Sequence, residues 1–181
     1  AGGVVVFDIS NPENPRLVNS IETAGYAGAA DVSGAFVYVA QALDGLRIAR
    51  ASIPRYPETT GSVDTPGIAH NLVVSGTSAY LADGSSGLQV VDVSDPASPT
   101  ITAACDTPGE AWDVKVAGSY AFVADGEAGF QVALLGTQPE IRRTVNTPAT
   151  ARGLALSADS NYGYLADHST GGNASLRIVD I

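Results

Sequence analysis

The stretch "YLADGSSGLQVVDVSDPASP", Tyr80 to Pro99, holds three aspartates, a Gly-rich turn and an apolar run that ends in a second acidic turn. Met once, it reads as a place for carboxylate chemistry. It is not met once. "YVAQALDGLRIAR" (Tyr38 to Arg50) starts 42 residues earlier, and "FVADGEAGFQVAL" (Phe122 to Leu134) starts 42 residues later. "YLADHSTGGNASLRIVD" begins at Tyr164, another 42 on, with four extra residues in its loop. "DTP" at Asp64 and Asp106 and "NTP" at Asn146 mark the same frame. "FDISNPENP" (Phe7 to Pro15) matches "VDVSDPASP" (Val91 to Pro99) at twice the spacing. A frame kept across four copies belongs to a tandem structural unit.

Within one unit the pattern predicts four short strands, near Asn71–Ser75, Ala79–Ala82, Leu88–Val93 and Thr100–Cys105. Gly76, Asp83-Gly84 with Gly87, Asp95-Pro96 and Pro108-Gly109 punctuate them. "LQVVDV" is apolar on both pleat faces, as expected of a strand packed on both sides. Nothing in the chain shows sustained 3.6-residue patterning with caps. The fold class is therefore all-β, a β-propeller built from 42-residue four-stranded blades.

The units "GLQVVDVSDPASP", "GGVVVFDISNPENP" and "SLRIVDI" resemble the LVIVD repeat, a blade family of bacterial and archaeal β-propellers. The weaker copies depart from it, with Arg50 and Leu134 where Asp is expected. The resemblance implies a propeller, commonly on exported or surface proteins, and no defined activity. Blades are expected at about 26–67, 68–109 and 110–149, flanked by partial blades at 1–25 and 150–181. That count gives seventeen strands where a closed four-bladed ring needs sixteen. The alternatives are part of a larger propeller, which is the reading preferred, a four-bladed ring with a surplus strand, or a ring completed by a neighbour. The absence of methionine points to a processed chain or a fragment.

Composition narrows the partners. The 181 residues are 45% hydrophobic and 15% charged, with twenty glycines and ten prolines, which excludes disorder. A net charge of −10 with a single lysine argues against nucleic acid or anionic lipid. No apolar run is long enough for a membrane-spanning helix, so no membrane insertion is expected. Cys105 is alone, so neither an intrachain disulfide nor a Cys-rich zinc site is expected.

Residues recurring once per blade are expected to serve the blade. Asp8, Asp92 and Asp180 should bond the backbone of the adjoining turn. Asp83, Asp125 and Asp167 should fix the Asp-Gly turn and keep one rim acidic, where they are also candidate ligand contacts. They lack the D-x-D-x-D-G spacing of a calcium loop, and no metal or cofactor is expected. More informative are positions that keep the frame and change identity. "PGIAHN", "PGEAWD" and "PATARG" place His70, Trp112 and Arg152 at equivalent points, with Gly28 as the fourth. In a propeller that position lies at the mouth of the central channel, and Trp and Arg dominate binding hot spots. No catalytic residues are assigned, because the chain lacks a G-x-S-x-G elbow, an H-E-x-x-H and any Cys–His spacing. Asn173-Ala174-Ser175 is a candidate glycosylation sequon.

The leading expectation is a non-enzymatic secreted or cell-surface scaffold that presents one propeller face to a protein or glycan. A propeller hydrolase or lyase with catalytic residues outside this chain is the first alternative. A structural subunit self-associating through its terminal strands is the second. Fold alone does not choose among them.

Overall fold

The first decision of each blade is made at the turn after its second strand. Gly84 and Gly126 take φ of +57° there, and Ala42 occupies the same place at +43°. A left-handed backbone costs a residue with a Cβ about 1–2 kcal/mol. Ala42 is held in it by reciprocal backbone hydrogen bonds with Ala69.

The computed structural model describes residues 2–23, 25–51, 58–168 and 175–181. Its described residues form seventeen strands and no helix. The first sheet is β1 (Gly2–Asp8) and β2 (Arg16–Thr23). The second comprises β3 (Ala29–Ser33), β4 (Phe36–Ala40), β5 (Leu46–Arg50) and β6 (Glu58–Val63). The third comprises β7 (Asn71–Ser75), β8 (Ser78–Ala82), β9 (Leu88–Asp92) and β10 (Thr100–Cys105). The fourth comprises β11 (Asp113–Ala117), β12 (Tyr120–Ala124), β13 (Phe130–Leu134) and β14 (Glu140–Val145). The fifth is β15 (Thr150–Leu156), β16 (Tyr162–His168) and β17 (Ser175–Asp180). Strands pair antiparallel with their neighbours in sequence. The strands expected in the third sheet match within one residue at each end.

Successive sheets meet through their first strands, with β3 against β7, β7 against β11 and β11 against β15. These are the inner strands of a β-propeller, and each leaves one edge without a strand partner. Carboxylates from the preceding blade cover part of that edge. Val74 N donates to Asp31 Oδ2 (2.8 Å), and Leu154 N donates to Asp113 Oδ2 (2.7 Å). Lys115 balances Asp113 at 2.6 Å. Asp8 and Asp92 do what a recurring turn aspartate should, accepting from Ser10 N and Ser94 N.

The core lies between blades. Leu46 and Ile48 pack on Leu72, Leu81 and Val91 of the next blade. Leu88 packs on Val114 and Val123, and Phe130 on Leu154 and Leu165. Hence the third strand is buried on both faces, as "LQVVD" required. The outer strand carries a register shift opposite the third strand in each of the first four sheets, which increases its twist.

The arc is open: among the described residues, no strand of the first sheet is hydrogen-bonded to the fifth. Val4 packs on the second sheet while Val5, Phe7 and Ile9 are exposed. At the other end Leu176 and Ile178 are exposed, although their repeat equivalents Leu88 and Val90 are buried.

Candidate functional site

The site is assembled by the alanine before each variable residue. Ala69, Ala111 and Ala151 form reciprocal backbone bridges with Ala42, Gly84 and Gly126 of the preceding blade. His70 N and Trp112 N then donate to Ala82 O and Ala124 O of their own blades. Arg152 falls instead at a register shift between β15 and β16, a device that re-aims a side chain. The three side chains are brought together from three consecutive blades.

They form one stack. The His70 and Trp112 rings lie 4.0 Å apart at 17°, and the Arg152 guanidinium carbon is 4.4 Å from the indole centroid. Two groups so close to one centroid cannot share a face, so His70 and Arg152 cover opposite sides of the indole. Each contact contributes about 0.5–2 kcal/mol. His70 Nε2 also meets Glu110 Oε1 at 3.3 Å. Trp112 Nε1 is enclosed without a hydrogen-bond partner among the described residues, so stacking and not hydrogen bonding fixes the ring. Gly28, the fourth equivalent, cannot carry a side chain: a Cβ there would sit 2.4 Å from His70 O.

The stack borders an open cavity of about 610 Å³ lined by Trp112, Arg152, Glu110, Glu127, Thr150 and the Pro108–Gly109 turn. Glu110 and Glu127 were not singled out from sequence, although the signal exists. Glu110 stands where the other blades carry Tyr26, Ile68 and Thr150, another column that changes identity.

The recurring aspartates are placed differently from the expectation. Asp83, Asp125 and Asp167 lie beneath the rim, not on it, with at most 3% of their surface exposed. The rim acids are the glutamates. Asp83 accepts from Thr65 Oγ1 (2.6 Å) and Gly67 N (2.9 Å), and Asp125 accepts from Thr107 Oγ1 (2.6 Å) and Gly109 N (2.9 Å). Each carboxylate thus clamps the linker that brings the chain into its blade, and a ligand at the rim would not touch it. Burial pushes both carboxyls above the usual aspartate range, against the hydrogen bonds that pull them down. Asp167 keeps the position but not the clamp: it pairs with Arg177 at 2.9 Å, and Thr147 turns to Ala149 O instead. Its Oδ1 is enclosed without a partner among the described residues. Asn173 of the sequon lies outside the described residues.

The family model described as "LVIVD repeat" matches residues 1–23, 24–65, 66–107 and 108–133 in unbroken succession. The chain belongs to the LVIVD repeat family. No curated protein matches it in sequence. Among solved structures it is similar to a periplasmic gluconolactonase of Pseudomonas aeruginosa, PpgL, at 15% identity and a TM-score of 0.80, covering 100% of this chain and 68% of that one. The computationally designed Ika4 protein matches at 7% identity and TM-score 0.72, over 88% of this chain and 94% of that one. The computationally designed Ika8 protein matches at 12% and 0.74, and the LVIVD chain spans about half of its length, 53%. At these identities the likeness shows fold alone. Within the LVIVD blades the stack occupies positions outside the repeat's signature strand. The matched residues end at 133, so Arg152 belongs to a sheet that keeps the frame beyond them.

Proposed function

We propose that this LVIVD chain is a non-enzymatic binding scaffold that presents the His70–Trp112–Arg152 face to a protein or glycan outside the cytoplasm. The observation that carries the reading is the stack itself. Three equivalent positions, free to differ, hold an imidazole, an indole and a guanidinium in contact beside a cavity of about 610 Å³. That volume falls in the usual range of small-molecule sites, about 300–1,000 Å³. The periplasmic location in one fold neighbour's name supports the compartment. Recovery of the native protein from the cytosolic fraction would overturn that placement.

The test is a glycan array and a displayed-peptide library probed with wild type and Trp112→Ala. Loss of the indole should weaken any specific binding by about tenfold or more, as expected of a hot-spot residue. The far-UV circular dichroism should stay unchanged. Binding that survives Trp112→Ala, or no binding in either format, would remove the reading.

A separate observation supports self-association through the ends. Val5, Phe7 and Ile9 at one end, and Leu176 and Ile178 at the other, are exposed halves of what is elsewhere a blade interface. Apolar sheet faces of this kind invite pairing. The 181-residue chain should show concentration-dependent mass in light scattering, reduced by Phe7→Glu or Leu176→Glu. A constant monomer mass up to high concentration would sink the idea.

A further inference from the structure

Arg152 is exposed, yet its guanidinium is fixed against Trp112. None of its N–H groups meets an acceptor among the described residues, whereas Lys115, Arg142 and Arg177 are each paired with a carboxylate. Arg50 is likewise held over a ring, that of Phe36, with no carboxylate partner among the described residues; what sets Arg152 apart is that it lines the cavity beside Trp112. Its planar donor fork matches a carboxylate, and stacking has already restricted the side chain, so little entropy remains to be lost on binding.

The rest of the cavity limits what that carboxylate can be attached to. Glu110 and Glu127 line the same space and repel a densely charged anion such as a phosphate or sulfate ester. They accept well from neutral hydroxyls, as does Thr150, while Pro108 and the indole edge offer apolar surface to C–H groups. One carboxylate, several hydroxyl donors and an apolar ring face are together the chemistry of a uronic-acid sugar. About 610 Å³ is also far more space than a free amino acid fills.

We infer that the cavity beside Trp112 takes a carboxylate-bearing glycan, with Arg152 gripping the carboxylate and Glu110 and Glu127 accepting from hydroxyls. This rests on the binding-face reading and names its ligand class. The experiment is calorimetric titration of the whole chain with an aldotriouronate, a trisaccharide that carries a single carboxylate, with its methyl ester and with free glutamate. The acid should bind at least about tenfold more tightly than the ester, a preference that weakens with salt and vanishes in Arg152→Gln. Arg152→Lys should restore only part of it, because an ammonium lacks the two-pronged fork. Equal binding of acid and ester, or a preference unmoved by Arg152→Gln, would overturn the carboxylate assignment. If such binding were still lost in Trp112→Ala, the binding-face reading would survive it. Glutamate binding more tightly than the trimer would assign the cavity to a zwitterion and overturn the glycan. No binding of the aldotriouronate would overturn the inference.

Discussion

Phe130→Ala should destabilise the chain by about 3–5 kcal/mol, the usual cost of removing a buried aromatic ring. Phe130 is 1% exposed and fills the interface between the fourth and fifth sheets, against Leu154 and Leu165. It also stacks on Phe122, with ring centroids 5.9 Å apart. The vacated space is walled by two sheets that are each fixed by their own hydrogen bonds, so little collapse is available to offset the cavity. Leu176 holds the same repeat position one blade later but is 68% exposed, so Leu176→Ala should change stability by less than about 0.5 kcal/mol. Urea denaturation of the two variants beside wild type checks the pair. Similar losses for both would mean that repeat position, rather than the presence of a following blade, sets the energy.

Asp125→Ala should cost about 3 kcal/mol or more. The side chain is fully buried and accepts from Thr107 Oγ1, Gly109 N and Gln131 Nε2. Each donor left unpaired in the interior costs about 1–3 kcal/mol. Gly109 cannot move in to compensate, since its Cα already abuts Asp125 O closely enough that a Cβ would lie 2.2 Å away. The same carboxyl predicts a pH dependence of unusual sign. Burial raises its pKa in the folded chain above the ordinary 3.8, so the folded state holds more protons in that window. Its contribution to stability is full below the ordinary value and falls as pH rises through the folded value. From about pH 4 upward, wild type should therefore lose more stability than Asp125→Asn, as followed by thermal melts. A flatter wild-type profile would contradict the raised pKa.

The blade was legible in the sequence because its determinants are local and repeated. The apolar run Leu88–Val91 and the turn glycines Gly84 and Gly87 recur in frame, and each copy corroborates the others. The variable column was legible for the same reason, since His70, Trp112 and Arg152 stand out only against a kept frame. What they do together was not. That Trp112 has both faces covered, and offers only edges to a ligand, depends on reciprocal backbone bridges such as Gly84–Ala111. Those bridges leave no trace in residue type beyond a small side chain.

The aspartates mark the boundary most clearly. Asp83 and Asp125 lie in D-G turns, and turn chemistry alone places a carboxylate in such a loop without saying which way it points. The direction is decided by Thr65 and Thr107, eighteen residues upstream, whose hydroxyls reach the carboxylates only after the linker folds over the blade. By itself, then, the sequence determined the all-β class, the period, the strand positions and the column that carries variable side chains. These follow from pleat alternation, turn residues and repetition, each acting within about one blade of chain. Only the tertiary structure decided that the recurring aspartates go beneath the rim, that three unlike side chains become one stack, and that the Arg152 guanidinium meets no acceptor among the described residues at an open cavity. Those outcomes depend on contacts between blades, where packing and desolvation, not local preference, set the free energy.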